Sequence, residues 1–164
     1  MILIGPDADT PQNRSALKMR ELRSFLRSAL SAAGLRGEVS VLLTTDNGIR
    51  ALNRNFRKKD KATDVLSFPA ETSHAGAGIA GDLAISLDTA RRQAEEQRHP
   101  LLTELKVLLL HGVLHLAGYD HESDRGQMAR KEAALRKQLG LPAGLIQRSR
   151  VGNKSTRKRD GGAQ

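Results

Sequence analysis

The run His111-Gly112-Val113-Leu114-His115-Leu116-Ala117-Gly118-Tyr119-Asp120-His121 holds three of the chain's five histidines. His111 and His115 are four residues apart, so on a helix they share a face one turn from each other. The preceding run, Leu105 to Leu110, is apolar and free of breakers, as a buried helix would be. Gly118 follows the last periodic residue, Leu116, at the usual place for a left-handed helix stop. A turn there would bring His121 back toward the first two. Three imidazoles from a helix, a turn and a return leave a fourth coordination position open, which is the geometry of a catalytic zinc site.

The metzincin pattern H-E-x-x-H-x-x-G-x-x-H has the same histidine and glycine positions. This chain departs at the second position, where Gly112 stands in place of the general-base glutamate. The spacing therefore predicts a metal cage without the protease's base. Taken one at a time, His111 and His115 would read as core histidines and His121 as a surface one. Three in register with the glycine favour metal. His74 and His99 lie outside the motif.

The same residues, H-G-x-L-H-L-x-G-Y-D-H, resemble the signature of the YbeY family of bacterial endoribonucleases. Asn53 to Pro69 resembles that family's N-x-x-(Y/F)-R-x-K-D-x-P-T-D-V-L-S-F-P block, with Ala62 where the family usually has proline. Gly81-Asp82-Leu83-Ala84-Ile85-Ser86 resembles its G-D-(I/L)-x-I-S block. The likeness covers roughly residues 38 to 140 and leaves the chain beyond about Pro142 without a counterpart. It implies an α+β, zincin-like fold: a small mixed four-stranded sheet, about five helices, and the metal site at the end of a central helix. It also implies one Zn2+ per chain, and a role in maturing ribosomal RNA at the 16S 3′ end and in small-subunit quality control.

The elements that would position such a site can be read directly. Met1 to Ile4 is a short strand. Thr10 caps a helix with Pro11 in its first turn, and helical spacing continues from Leu22 to Gly34. Glu38 to Thr44 alternates as a strand does. Asp46 is expected to cap a short helix through Ile49, Leu52 and Phe56. Val65 to Phe68 and Gly81 to Ser86 are further strands, separated by a Gly- and Ala-rich stretch expected to be mobile. Asp88 is expected to cap a helix reaching about Arg98, and Pro100 begins the histidine helix. Ser123 or Asp124 would cap a last helix with Met128, Glu132, Leu135 and Leu139 along one side. Strand–helix alternation fails in the second half, which independently favours α+β over a doubly wound sheet.

Length predicts one catalytic, metal-binding domain, residues 1–146, followed by a basic and disordered tail, residues 147–164. The chain has no cysteine, so there is no disulfide partner and zinc must rest on His and carboxylates. No apolar stretch reaches membrane-spanning length and the start is too short and too little basic for a signal peptide, so a cytoplasmic protein without a membrane partner is expected. Lys plus Arg number 27 against 18 Asp plus Glu, a net +9. From Arg148 on, six basic residues face one acidic residue, so the tail carries five of those nine charges, as an electrostatic arm for an anionic partner would.

Planar guanidinium suits the charge developing on an attacked phosphate, and Arg57 is the leading catalytic candidate because it is the arginine of the block that resembles the family's. Lys58, Lys59 and Lys61 would draw in backbone phosphates without reading sequence. Asp82 and Asp120 are candidates for orienting an imidazole from behind; Asp120 and Glu122 fit exposed turn positions equally well. With no Trp, one Tyr and three Phe, a broad base-stacking platform is not expected. Together these readings point to a single-metal endoribonuclease acting on single-stranded and ribosomal RNA. A zinc-dependent peptide or amide hydrolase, and a non-catalytic zinc-stabilised module on the small ribosomal subunit, remain as alternatives.

Overall fold

A computed structural model describes residues 1–70, 78–120 and 122–142. Residues 71–77 (most of the Gly- and Ala-rich stretch expected over Thr72 to Ala80), His121 and the basic tail lie outside the described residues. The architecture is mixed α+β. Strands β1 (Ile2–Ile4), β2 (Glu38–Thr44), β3 (Val65–Pro69) and β4 (Ile79–Ser86) form one sheet in the order β1-β2-β4-β3. β1 and β4 lie parallel to β2, and β3 closes the far edge antiparallel to β4.

Six helices accompany the sheet among the described residues: α1 (Pro11–Ala16), α2 (Met19–Ala33), α3 (Asp46–Arg57), α4 (Leu87–Gln97), α5 (Leu101–Leu116) and α6 (Gln127–Leu139). That is one more than the sequence predicts. The expected first helix is broken at Leu17, which takes an extended conformation (φ −88°, ψ 113°) and turns its side chain into the core. Three expected caps also move. Thr45, not Asp46, caps α3, and Ser86, not Asp88, caps α4. At α6 the Asp124 carboxylate accepts from the Gly126 and Met128 amides, while Gly126 holds the cap position itself with φ 96°.

The two faces of the sheet are unequal. Val39, Val41 and Leu43 of β2 and Leu83 and Ile85 of β4 alternate onto one face, where they join the large core built with α2 and α5. The other face carries a small cluster of Ile49, Leu66 and Ala84 under α3. α5 is apolar nearly all round, the mark of a helix covered on every side. It packs against α2, α4, α6, β3 and β4. Among the described residues no helix is long and apolar enough to cross a membrane.

Gly112 explains how close α5 lies to the sheet. A Cβ there would stand 2.8 Å from Leu83 Cδ2 and 3.4 Å from Val65 Cγ2. Ser67 of β3 adds a hydrogen bond from its Oγ to the Gly112 carbonyl, 3.3 Å. The missing glutamate of the protease pattern thus has a packing cause: this position faces the sheet, where a carboxylate would be driven into apolar core.

Candidate active site: a histidine pair facing an arginine

α5 brings His111 and His115 to its last two turns. Their Nε2 atoms are 3.2 Å apart and their ring centroids 4.7 Å. Two imidazole nitrogens at that distance need a shared proton or a cation between them. Tetrahedral zinc with bonds of about 2.0–2.1 Å places two ligand nitrogens about 3.3 Å apart, so the pair fits two positions of one zinc. No group of three His, Cys, Asp or Glu forms a metal cage among the described residues. His121, the expected third ligand, lies outside them.

The chain leaves α5 as the sequence predicts. Gly118 is left-handed, with φ 98°. Its amide bonds the His115 carbonyl at 3.0 Å and the Tyr119 amide bonds the Leu114 carbonyl at 3.1 Å, the paired bonds of a Schellman stop. This turn seats Tyr119 against the core and reverses the chain toward Asp120.

Behind His111 stands a carboxylate that sequence reasoning placed on a helix stripe but gave no role. Glu132 Oε2 of α6 lies 3.5 Å from His111 Nδ1. Its Oε1 accepts from Arg136 Nε at 3.2 Å, and Arg136 also bonds the Pro142 carbonyl. Glu132 and Arg136 are only 1% and 2% exposed. Burial pushes the Glu132 carboxyl up, but the His111 imidazole and the Arg136 guanidinium beside it outweigh that and hold the group below the usual glutamate range. A carboxylate behind Nδ1 fixes the tautomer that leaves Nε2 free to ligate. The signal in the sequence was a charged residue on the stripe of Met128 and Leu135, since a carboxylate among apolar neighbours must be partnered.

The two candidates that the sequence offers for that role are placed differently. Asp82 is exposed. Gly81 and Leu83 face α5, so the pleat turns Asp82 to the opposite face, away from the histidines. Asp120 stays at the site but caps its own turn, accepting from the Glu122 amide and from Ser123 Oγ, both at 3.0 Å.

A cleft of about 680 Å³ opens over the histidine pair. It is also lined by Phe56 and Arg57 at the end of α3 and by Val65, Ser67 and Phe68 of β3. Asp120 and Glu122 stand at its margin. Arg57 therefore shares the cleft with the histidines, although 54 positions separate it from His111 in the chain. Its neighbours on α3 share one carboxylate: Arg50 forks onto Asp60 at 2.8 and 3.2 Å, and Arg54 reaches the same group at 4.0 Å. Arg57 makes no ion pair among the described residues.

Lys58, Lys59 and Lys61 are exposed on the loop leaving Arg57 and do not line the cleft. Lys58 ends α3 in the left-handed region, φ 55°, uncommon without glycine. Buried Asn53 holds that turn: its carbonyl accepts from the Lys59 amide at 3.2 Å and its Nδ2 donates to the Lys61 carbonyl at 3.0 Å. Asn53 interrupts the apolar spacing of Ile49 and Leu52, which was the available sign that it has a structural task.

The fold and cleft define a class: a mixed α+β protein whose buried helix presents paired imidazoles to an exposed arginine. Comparison with known proteins gives the family. The family model "Endoribonuclease YbeY" matches residues 7–140. A Koribacter versatilis relative bearing the same description is 53% identical over 140 residues, covering 85% of this chain and 90% of the relative. One from Solibacter usitatus is 49% identical over 147 residues, covering 85% and 97%. The chain belongs to the YbeY family. The solution structure of a Thermotoga maritima protein aligns over the full length of both chains with a TM-score of 0.56 and 24% identity, a likeness of fold.

Proposed function

We propose that this chain is a single-strand-specific, zinc-dependent endoribonuclease acting in ribosomal RNA maturation at the 16S 3′ end and in ribosome quality control. The observation that carries the reading is the histidine pair, with Nε2 atoms 3.2 Å apart, in one cleft with an arginine that has no acidic partner among the described residues. Zinc would be held by His111, His115 and His121 in a zincin-like arrangement. When bound it supplies a water of lowered pKa, or polarises a phosphoryl oxygen.

The chain's own residues do the rest. Glu132 orients His111 through Nδ1. Arg57 binds the phosphate under attack and stabilises the charge that grows on its oxygens. Lys58, Lys59 and Lys61 lengthen the cationic track beyond the cleft, and the tail would add an electrostatic arm for the ribosomal RNA of the small subunit.

The peptide-hydrolase alternative is weakened by Gly112, which packs on Leu83 and leaves no room for a base at that position. Incubating zinc-loaded protein with labelled single-stranded RNA and with casein separates the readings. RNA cleavage with casein intact is expected. Casein cleavage would favour the hydrolase, and binding of ribosomal RNA with neither substrate cut would leave the non-catalytic module.

A further inference from the structure

Phe56 is 69% exposed. Leaving apolar ring surface in water costs about 25 cal/mol per Å², so the exposed part of the ring gains nothing from folding. The ring stands on the last turn of α3 next to Arg57, in edge-to-face contact with Phe68 of β3, with centroids 5.5 Å apart and planes at 67°. Tyr119, from the turn after the histidine helix, lines the same cleft. The chain has three Phe, one Tyr and no Trp. The remaining aromatic, Phe25, is in the main core at 8% exposure. Aromatic residues are scarce, as the sequence says, but the other three, Phe56, Phe68 and Tyr119, all line this cleft.

We propose that Phe56, braced by Phe68, is a stacking site for one unpaired nucleobase of the strand whose phosphate Arg57 holds. This deepens the reading above and rests on RNA being the substrate. Successive Cα atoms are about 3.8 Å apart, so ring and guanidinium come from one point of the wall and can take the base and phosphate of neighbouring positions on a strand. A base within a duplex already has both faces covered and offers none to Phe56. Selection of single strands then has a cause inside the cleft rather than in net charge alone, since charge attracts duplex and single strand alike. Every base has a π-face, so the site would tolerate any of the four.

The competing role for Phe56 is to cover Phe68. Three variants, Phe56→Ala, Phe56→Leu and Phe56→Trp, separate the two. The probes are a short fluorescein-labelled single-stranded RNA, the same sequence paired as a duplex, and a single-stranded copy carrying 2-aminopurine. In the presence of zinc, Phe56→Ala should weaken single-strand binding about 5- to 150-fold. It should leave duplex affinity, zinc content and melting temperature as in the wild type, and lose the stacking quench of 2-aminopurine. Phe56→Trp should keep binding and quench. Phe56→Leu, which still covers Phe68 but has no π-face, should behave as Ala. Single-strand affinity of Phe56→Ala within twofold of wild type, or full rescue by Leu, overturns the stacking site while wild-type RNA cleavage leaves the endoribonuclease reading standing. If wild-type protein neither binds nor cuts the single-stranded RNA, that reading fails and the stacking site with it.

Discussion

On one wall of the cleft, His111 is 9% exposed and is backed by a buried Glu132–Arg136 pair, with Gly112 beside it pressed against Leu83. On the other, Phe56 and Arg57 are both exposed, over a cluster of only three buried apolar residues. The first wall is fixed by packing and by low-dielectric contacts that salt hardly screens; the second presents charge and ring surface to water, where salt weakens it. The division suits the tasks proposed for the two walls. A metal ligand must be held within a fraction of an ångström, whereas a surface that captures a flexible polyanion gains from being open and accessible. Damage to the buried wall should therefore appear in metal content, and damage to the exposed wall in catalysis or binding with the metal in place.

The largest effect should follow loss of a histidine. His111→Ala or His115→Ala should abolish zinc binding almost completely, read by metal analysis of purified protein, and cleavage with it. Wild-type stoichiometry in both variants would remove the metal from this cleft. His99 bonds buried Glu104, away from the cleft, so its replacement should leave metal content alone.

Next comes Arg57, which tests whether the exposed wall takes part in chemistry. Guanidinium stays protonated and has no lone pair to offer a metal. Arg57→Ala should keep full zinc occupancy and a normal melting temperature while cleavage falls by about 10²–10³, the loss typical of one oxyanion donor. Arg57→Lys should rescue in part, because a point charge lacks the two-pronged fork. If Arg57 were only a clamp on the strand, single-turnover cleavage at saturating protein would run at the wild-type rate.

A smaller loss should come from behind the histidine. Glu132→Gln keeps an acceptor for His111 Nδ1 but removes the charge. Zinc affinity, measured by competition with a chromophoric chelator, should fall about 10- to 100-fold. Unchanged affinity would reduce Glu132 to a structural partner of Arg136. Glu132→Ala is the poorer test, because stranding buried Arg136 costs about 3–5 kcal/mol and confounds the result.

The two walls were not equally legible in the sequence. The helix of the histidines, its glycine stop and the pairing of His111 with His115 depend on local spacing, and local spacing is visible in a chain. Arg57 was visible through likeness to a family block, not through any pattern of its own. Glu132 and Asp82 mark the limit. Asp82 sits in a family block but its strand phase turns it off the site, and Glu132 reaches His111 only because α6 packs beside α5. The split of α1 from α2 was hidden for the same reason: Leu17 breaks a helical run to satisfy the core, a tertiary demand that helical spacing does not record. Gly112 was read as the loss of a base, when its neighbours on the sheet leave space for nothing larger.

The smallest effect concerns the root of the exposed wall, at the opposite end of α3 from Arg57. Asp46 accepts from Ser86 Oγ and Thr89 Oγ1, both at 2.6 Å, and from Arg92 at 2.8 Å, tying α3 to the start of α4. Partial burial pushes its carboxyl up, but these hydrogen bonds and the Arg92 charge outweigh that and hold it below the ordinary aspartate range. A group whose pKa is depressed by folding adds stability at pH values above its unfolded pKa and loses it as pH falls through the folded one. Asp46→Asn should therefore lower the melting temperature at pH 7 by about 2–4 °C, corresponding to roughly 1 kcal/mol for a chain of this size. The gap to wild type should narrow below about pH 4, where the unfolded aspartate begins to take up its proton, and close as the folded group is titrated. Zinc occupancy at pH 7 should not change, because the carboxylate touches neither α5 nor α6. A melting gap of the same size at pH 7 and at pH 2.5 would show that Asp46 acts through shape and not through charge, and that the exposed wall is anchored by packing after all.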